Sequence, residues 1–453
     1  MKTYADYKNK NVMVVGMAKS GISAAKLLIR EGARVFLYDA KPKEAFGDNV
    51  AELLKDCTDL LGKDPNPHIG MMDALVLSPG VPTRLPFIRK AYALCKDVIA
   101  EIELGYRYSK GDFVAISGAN GKTTTTALTG EIFKASGRHT QVLGNIGQPI
   151  CEEAHLTTDD GIVVAETAAL QLETIKNFHP KAAALLNLTE NHLDRFITME
   201  AYCAAKLRMF ENQQPDDIAV LNYDDMNCRK YAAYVKCRLL WFSTTTDVTE
   251  GAFLRNGMLV FRMNGKETEI IDADDIRIPG LHNLQNAMAA VCLAMPLGVP
   301  AKTIAETLKT FPGVEHRIEF VREVNNKCFI NDSKATTPEA TLKAIATMKT
   351  PTVLILGGYD KHLEFDVLFE NMSDKIEDIV ILGVTADKIA AAAAKAGYKN
   401  IHRAADFHDA VLMANDLCPS GGNVLLSPAC ASWDMFDNFE QRGRVFKDIV
   451  SHL

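Results

Sequence analysis

Residues 118–124, GANGKTT, combine the residue types that bind phosphate groups. Glycines let backbone N–H groups crowd around an anion, Lys122 supplies a positive charge, and Thr123 offers a hydroxyl to Mg²⁺. The apolar run DFVA precedes this stretch, so the pattern predicts a strand, a phosphate-binding loop and a helix start whose dipole favours a nucleotide triphosphate. The first glycine lies only three residues before the second, which makes the loop shorter than a Walker A loop. A glycine-rich turn without a ligand is the alternative.

Further polar residues follow predicted strands. Glu166 ends the run VVAE, where a carboxylate can hold Mg²⁺, although such a residue can also be a solvated turn residue. The segment NLTENHLDRF places Asn191, His192 and Asp194 at one strand edge, where a histidine is often structural. Lys206 lies in the predicted helix AYCAAKLRMF, and a surface lysine with a buried stem is the alternative there.

Two more clusters fit a nucleotide site at a domain cleft. The segment GLHNLQNA places three polar side chains on one side of a helix start: His282, Asn283 and Asn286. The segments HRIE and NDSKATT place two cations, an acid and two hydroxyls near a domain junction and a strand end: Arg317, Asp332, Ser333, Lys334 and Thr336.

The first 40 residues read as a βαβ unit that resembles a dinucleotide-binding fingerprint. The strand VMVV is followed by Gly16, a helix pattern that stops at Gly32, and the strand RVFLY, which ends at Asp39. Ala18 replaces a glycine of the fingerprint, so an NAD-dependent dehydrogenase is one hypothesis and a Rossmann-like half without ligand is another. A third strand, ALVLSPG, brings Ser78 and Gly80 to the same predicted crevice.

The rest of the chain continues the α/β alternation. QVLGNIG, GIVVAET, AAALLNLT, DDIAVLN and RLLWFS predict a parallel sheet, two N-G turns within residues 251–271 predict hairpins, and TVLILGG, DIVILGV and NVLLSP predict a last sheet. We therefore predict an α/β protein of three domains. The N-terminal domain (residues 1–100) and the C-terminal domain (314–453) are Rossmann-like, and the central domain (101–313) is P-loop ATPase-like with a small β-hairpin element.

Composition limits the function classes. The chain has 453 residues, 47% hydrophobic and 24% charged, with a net charge of −7, which argues against nucleic acid or an anionic membrane as a partner. Ten cysteines occur without a C-x-x-C pair, and no apolar span is long enough for a membrane helix. We expect a cytoplasmic protein that acts as a monomer.

Taken together, GANGKTTTT, GNIG, NLTENHLDRF, AAKLRMF, HNLQNA, HRIE, NDSKAT and LLSPACAS stand in the order and approximate spacing of the Mur ligases, which the chain resembles over essentially its whole length. The short N-terminal domain and the ending LLSPACASWDMFDNFEQRG most resemble the members that add D-glutamate. The resemblance implies a cytoplasmic step of peptidoglycan synthesis. In that step ATP phosphorylates the carboxylate of UDP-N-acetylmuramoyl-L-alanine, and the amine of D-glutamate attacks the acyl phosphate.

The resemblance also implies site residues. Lys122, His192 and Lys206 would be catalytic, and two Mg²⁺ ions would be held by Thr123, Glu166, His192 and carbamylated Lys206. ATP would be bound by Gly118, Ala119, Asn120, Gly121, Lys122, Thr123, Thr124, Asn283, Asn286, Arg317, Asp332 and Lys334. The UDP-sugar would be bound by Lys19, Ser20, Asp39, Ser78, Gly80 and Asn145, and D-glutamate by Thr336, Lys361, Ser432 and Phe439.

The resemblance reassigns the near-Rossmann fingerprint from NAD to UDP. Asn191 departs from the family pattern, which commonly has an aspartate before the histidine. Other hypotheses are a relative that adds another amino acid, a folylpolyglutamate synthase, and a nucleotide-binding regulator without catalysis.

Overall fold

The computed structural model describes residues 6–189 and 193–453. The chain divides into two compact units, residues 1–277 with 281–311 and residues 278–280 with 312–453. The first unit contains a five-stranded and a nine-stranded sheet, and the second contains a six-stranded sheet. Parallel pairing dominates all three sheets, as predicted for an α/β chain.

The first sheet has the strand order β3-β2-β1-β4-β5, and all of its pairs are parallel. Its strands are β1 (Asn11–Val15), β2 (Arg34–Tyr38), β3 (Thr58–Asp59), β4 (Ala74–Leu77) and β5 (Asp97–Ala100). The helices are α1 (Lys19–Arg30), α2 (Asp48–Leu53), α3 (Pro86–Ala93) and α4 (Glu101–Tyr108). From β1 the chain adds strands toward one edge of the sheet, and from β4 it adds them toward the other edge. This switch in strand order between β1 and β4 opens a crevice beyond their carboxyl ends.

The nine-stranded sheet has the order β14-β13-β12-β11-β10-β9-β6-β8-β7. Its strands are β6 (Asp112–Ser117), β7 (Thr140–Gly144), β8 (Ile162–Glu166), β9 (Ala182–Leu185), β10 (Ile218–Asn222), β11 (Arg238–Ser243), β12 (Gly251–Arg255), β13 (Met258–Met263) and β14 (Lys266–Asp272). The helices are α5 (Lys122–Ala135), α6 (Ile150–Glu153), α7 (Ala169–Leu172), α8 (Leu193–Phe196), α9 (Met199–Leu207), α10 (Met226–Tyr231), α11 (Leu281–Ala294) and α12 (Ala301–Thr310).

Strand β6 lies between β8 and β9, and both pairs are parallel. The carboxyl ends of these three strands therefore meet at one edge, where β6 runs into residues 118–121 and then into α5. The predicted hairpins are confirmed, since β12 pairs with β13 and β13 with β14 in antiparallel fashion. Their turns place Asn256 and Asn264 at φ values of 51° and 55°, which asparagine and glycine accept readily.

The third sheet has the order β15-β16-β20-β17-β18-β19, and only the β15–β16 pair is antiparallel. Its strands are β15 (Glu319–Val324), β16 (Lys327–Asn331), β17 (Thr352–Gly357), β18 (Ile376–Leu382), β19 (Ile401–Arg403) and β20 (Asn423–Leu426). The helices are α13 (Pro338–Ile345), α14 (Asp366–Glu370), α15 (Ala386–Lys395), α16 (Phe407–Leu417) and α17 (Phe439–Ser451).

Two apolar clusters cover the third sheet, one built around Phe329 and Phe446 and the other around Leu354 and Leu368. All ten cysteines are free, in keeping with the absence of a predicted disulfide framework. No helix in residues 6–189 or 193–453 is both long and apolar enough to cross a membrane.

Candidate active site

Residues 118–121 form the predicted tight turn between β6 and α5. Gly118 and Gly121 adopt φ values of 155° and 83°, which other residues rarely tolerate. At Gly121 a Cβ atom would also lie 2.5 Å from the Asn286 side-chain oxygen. The ammonium of Lys122 donates to the carbonyls of Gly118 and Ala119, each at 2.9 Å, so it lies over the loop. Thr123 and Thr124, both buried, follow in the first turn of α5.

An asparagine that the sequence analysis did not single out braces this loop. Asn187 comes two residues after β9, and its side-chain oxygen accepts the N–H groups of Ala119 and Asn120 at 3.0 and 2.9 Å. Its amide nitrogen donates to the Asn120 carbonyl at 3.1 Å. The loop is thus held from the neighbouring strand. The sequence did contain a signal for this residue, because Asn187 is a polar residue directly after a predicted strand, in the segment NLTE.

Asn286 braces the other end of the loop from α11. Its side-chain oxygen accepts the Thr125 hydroxyl at 3.2 Å, and its nitrogen donates to the Asn283 side-chain oxygen at 3.1 Å. The sequence placed Asn283 and Asn286 on one face of the helix, and their contact confirms this. His282, on the same helix, is exposed.

Glu166 is the last residue of β8 and lies opposite Ile116 in β6, so it is adjacent to the loop. The carboxylate is buried, and one oxygen accepts the side-chain N–H of Asn145 at 2.8 Å. The other oxygen has no hydrogen-bond partner among residues 6–189 and 193–453. A buried carboxylate oxygen without a partner is costly unless a cation or water satisfies it. This donor therefore fits a Mg²⁺ ligand, because hard divalent cations prefer carboxylate oxygen.

Lys206 extends from α9 to the end of β6. Its side chain is buried, with 2% of the residue exposed, and its ammonium donates to the Ser117 hydroxyl at 3.2 Å and to the Gly118 carbonyl at 2.9 Å. Burial, reinforced by the nearby charge of Lys122, lowers the pKa of Lys206 from 10.5 to about 7. The alternative of a surface lysine with a buried stem is wrong, because the ammonium is buried as well. Instead, the amine is available in its neutral, nucleophilic form near pH 7.

The remaining predicted metal ligand, His192, and its neighbour Asn191 lie outside the described residues. Across residues 6–189 and 193–453 there is no group of three or more His, Cys, Asp or Glu side chains positioned to hold a metal. Of the four predicted metal ligands, Thr123, Glu166 and Lys206 are thus the described ones.

The crevice of the first sheet contains the other predicted ligand residues. The Ser78 hydroxyl donates to the Gly16 carbonyl at 2.9 Å, and the Asp39 carboxylate accepts the N–H groups of Met17 and Lys41 at 2.9 and 3.0 Å. At Gly21 a Cβ atom would lie 1.8 Å from the Gly16 carbonyl oxygen, so glycine is required there. Asp39 therefore shapes the glycine loop itself.

The other residues predicted for the UDP-sugar lie around this crevice. The Lys19 ammonium donates to the Gly147 carbonyl at 2.7 Å, in the same loop as Asn145. Ser20 is half-buried in the first turn of α1, and Gly80 has open space where a Cβ would be. Asn145 was predicted as a sugar ligand, but its side-chain amide donates a hydrogen bond to the Glu166 carboxylate.

In the second unit, Asp332 is buried at the end of β16. Its carboxylate accepts the Ser427 hydroxyl at 2.7 Å and the Ile318 N–H at 3.2 Å. Burial raises the pKa of Asp332 to about 7, against the opposing effects of these two donors and the Arg317 charge. The Arg317 Nε group is buried and has no hydrogen-bond partner in the described part of the chain. Arg317 can therefore still donate a hydrogen bond to a ligand, and the Asp332 carboxylate can still accept one.

The other residues predicted for this unit lie on the three loops after β16, β17 and β20 and at the start of α17. The Lys334 ammonium lies 5.6 Å from the centre of the Phe439 ring, and that of Lys361 lies 4.8 Å from the centre of the Trp433 ring. Ser432 is buried and Thr336 is half-buried.

The buried guanidinium of Arg442, which the sequence analysis did not single out, ties these loops together. It donates to the Ser333 hydroxyl, the Ser333 carbonyl and the Cys430 carbonyl at 2.9, 2.8 and 3.1 Å. The loops after β16 and β20 are thereby joined to α17.

Three family models match the chain in sequence. The Mur ligase MurD-like N-terminal domain matches residues 10–100, the Mur ligase middle domain matches 116–294, and the Mur ligase glutamate ligase domain matches 316–430. The chain belongs to the Mur ligase family. The resemblance inferred from the motifs is thereby confirmed.

Curated relatives of this Mur ligase align over nearly its whole length. A protein of Alkaliphilus oremlandii is 45% identical over 450 residues, 98% of this chain and 99% of the relative. One of Clostridioides difficile is 42% identical over 451 residues, 99% of this chain and 100% of the relative. Both are named UDP-N-acetylmuramoylalanine–D-glutamate ligase, so the resemblance to the D-glutamate-adding members is also confirmed.

Solved structures share the fold of this Mur ligase. UDP-N-acetylmuramate-alanine ligase of Thermotoga maritima gives a TM-score of 0.60 at 17% identity, covering 98% of this chain and 99% of its own. The MurF ligase of the same organism, solved in complex with ADP, gives 0.59 at 17% identity, covering 99% and 96%. At this identity the likeness concerns the fold, and it confirms the predicted three-domain α/β class.

Proposed function

We propose that this Mur ligase joins D-glutamate to UDP-N-acetylmuramoyl-L-alanine at the expense of ATP, in the synthesis of a peptidoglycan precursor. The observation that carries the choice of substrates is the 42–45% identity, over 98–99% of the chain, to relatives that bear that one name. The glycine loop with Lys122, Glu166 and Lys206 around it supports ATP as the energy source.

The proposed chemistry has two steps. A carboxylate is a poor electrophile, because its charge repels nucleophiles and oxide is a poor leaving group. In the first step a carboxylate oxygen of the L-alanyl group attacks the γ-phosphorus of ATP, and ADP leaves. In the second step the amine nitrogen of D-glutamate attacks the carbonyl carbon of the acyl phosphate, inorganic phosphate leaves, and the nitrogen loses a proton. The products are the amide, ADP and phosphate.

The loop residues have a direct part in the first step. The N–H groups at the start of α5 favour the β- and γ-phosphates, and Lys122 adds a positive charge that moves from the loop carbonyls to phosphate oxygens. Electrostatic stabilisation of this kind is the main contribution that a protein makes to phosphoryl transfer. Asn187 and Asn286 keep the short loop in this geometry. Lys334, Arg317 and Asp332 are proposed as further ATP ligands.

We propose Glu166 and Thr123 as Mg²⁺ ligands, since the unpartnered Glu166 oxygen is the described donor best suited to the ion. Bound Mg²⁺ would neutralise phosphate charge as the phosphoryl group is transferred. Asn145 orients Glu166 by donating to its other oxygen. A second Mg²⁺, with His192 and Lys206 as ligands, remains a prediction.

Lys206 is proposed to act as a carbamate. An ammonium would repel Mg²⁺, whereas a carbamate provides an anionic oxygen. The neutral amine attacks CO₂, a nitrogen–carbon bond forms, and the nitrogen loses a proton. The lowered pKa of Lys206 supports this step, because an ordinary lysine is almost fully protonated at neutral pH and cannot react.

The remaining proposed contacts are those of the organic substrates. Lys19, Ser20, Asp39, Ser78, Gly80 and Asn145 are proposed for the UDP-sugar, and Thr336, Lys361, Ser432 and Phe439 for D-glutamate. A dicarboxylate needs a cation and several neutral donors, and this second group contains Lys361 and two hydroxyls. A dehydrogenase receives no support, because the relatives that align over nearly the whole chain are named as ligases. We also propose that the protein acts as a monomer in the cytoplasm, where free thiols are stable.

The experiment is an ADP-release assay with Mg²⁺, ATP and UDP-N-acetylmuramoyl-L-alanine, to which single D- and L-amino acids are added. D-Glutamate should drive release and formation of the amide, detected by mass. L-Glutamate should not, because inversion at the α-carbon moves either a carboxylate or the attacking amine out of register. Equal release with L-glutamate, or release driven only by another amino acid, would refute the substrate assignment. Lys122→Ala serves as the inactive control.

A further inference from the structure

Two large aromatic side chains lie exposed together on the second unit. Trp433 is 60% exposed and Tyr359 is 42% exposed. Trp433 follows Ser432 directly after the strand-end loop of β20, and Tyr359 follows β17. Both aromatic residues lie close in sequence to residues proposed for D-glutamate, Trp433 next to Ser432 and Tyr359 two residues before Lys361.

The two rings are held next to one another. Their centres lie 5.5 Å apart with the ring planes at 59°. The Tyr359 N–H donates to the Ala431 carbonyl at 2.9 Å, and this bridge joins the loop after β17 to the loop after β20. The position of Trp433 relative to residues 359–361 is therefore fixed by backbone as well as by ring contact.

The Lys361 ammonium lies 4.8 Å from the centre of the Trp433 ring, within the range of a cation–π contact. Within the described residues, no carboxylate pairs with Lys361, although the lysine is exposed and acidic residues are common on this unit. A free lysine side chain samples many rotamers, and ordering it on binding costs affinity. An indole face that already holds the ammonium removes part of that cost.

We propose that Trp433, supported by Tyr359, is a positioning residue that holds the Lys361 ammonium ready for a carboxylate of D-glutamate. The inference rests on the proposed function, since Lys361 is assigned to D-glutamate there. Trp433 acts through Lys361 and need not touch the substrate. Its exposure means that it contributes little to the core, so its replacement should leave the fold intact.

The test compares Trp433→Leu, which removes the aromatic face, with Trp433→Phe, which keeps one. A cation–π contact at an exposed site is small, so Trp433→Leu should raise KM for D-glutamate about two- to five-fold, with kcat and KM for ATP unchanged. Trp433→Phe should raise it less. Thermal unfolding of both variants should match the wild type.

A double-mutant cycle with Lys361→Ala decides whether the effect passes through the lysine. In a protein that already carries Lys361→Ala, adding Trp433→Leu should not change KM for D-glutamate. A full additional effect, equal effects of Leu and Phe, an unchanged KM in Trp433→Leu, or an equal rise in KM for ATP would each overturn the inference. No D-glutamate-dependent ADP release by the wild type would overturn the proposed function and this inference with it, whereas a normal wild type with any of those outcomes overturns the inference alone.

Discussion

Replacing Lys206 with methionine should stabilise the protein while abolishing its activity. Methionine has a similar length and no charge, and it can occupy the buried channel from α9 to the end of β6. The fall of the Lys206 pKa from 10.5 to about 7 means that the folded state disfavours its ammonium. At pH 7 this corresponds to a penalty of about 4 kcal/mol on the stability of the unmodified wild type.

The net gain is smaller than this penalty. The methionine variant loses the hydrogen bonds to the Ser117 hydroxyl and the Gly118 carbonyl, which offsets about 1 to 3 kcal/mol. The free energy of unfolding, measured with urea at pH 7 in CO₂-free buffer, should therefore rise by about 1 to 3 kcal/mol. ADP release should fall to background, because no carbamate can form.

The pH dependence of the stability difference tests whether the buried ammonium of Lys206 causes it. Because the folded-state pKa is lowered, the unfolded chain binds the extra proton between about pH 7 and 10.5, so the wild type gains stability as pH rises through that window. The advantage of Lys206→Met should thus shrink by about 2 to 3 kcal/mol from pH 6 to pH 9. An advantage that is independent of pH, or a variant less stable than the wild type at pH 6, would refute the reasoning. Lys181→Met, at a half-exposed lysine with a carboxylate partner, is a matched control that should show no such gain.

The other predictions concern single contacts. Lys122→Ala should leave circular dichroism unchanged but reduce ADP release by at least about a hundred-fold, because loss of one preorganised charge at phosphate costs that much or more. Glu166→Gln keeps an oxygen for Asn145 but loses the charge, so it should raise the Mg²⁺ concentration needed for half-maximal activity without lowering the urea midpoint. Lys361→Ala should raise KM for D-glutamate about ten-fold or more and leave KM for ATP unchanged, since a charge-assisted contact is worth about 1.5 to 3 kcal/mol. Gly21→Ala would bring a methyl group 1.8 Å from a backbone oxygen, so it should lower the urea midpoint markedly, and an unchanged midpoint would contradict the described loop.

The sequence was most informative where chemistry and local geometry coincide. GANGKTT predicts a glycine loop before a helix, and the structure has Gly118 and Gly121 at positive φ values there. The two N-G dipeptides predict tight hairpins, which the structure contains. Short edge strands were missed. β3 has two residues and β19 has three, too few for an alternating pattern to be seen. The segment that begins at Glu101, predicted as the start of the central domain, forms α4, where Glu103 is fully buried and accepts the N–H groups of residues 176–178.

Two features of the site depend on tertiary packing and could not be predicted from the sequence: the burial of Lys206 and the contact of Asn187 with the loop. A helix pattern around Lys206 is compatible with a surface lysine, and only the packing of α9 against the end of β6 removes water from the amine and lowers its pKa. The brace from Asn187 depends likewise on strand order. Nearly 70 residues separate it from the loop it holds, and the two meet because β9 pairs with β6. The neighbouring strand therefore helps to hold the loop that precedes Lys122. On the proposed function, the asparagine after β9 would support phosphate binding together with the loop glycines.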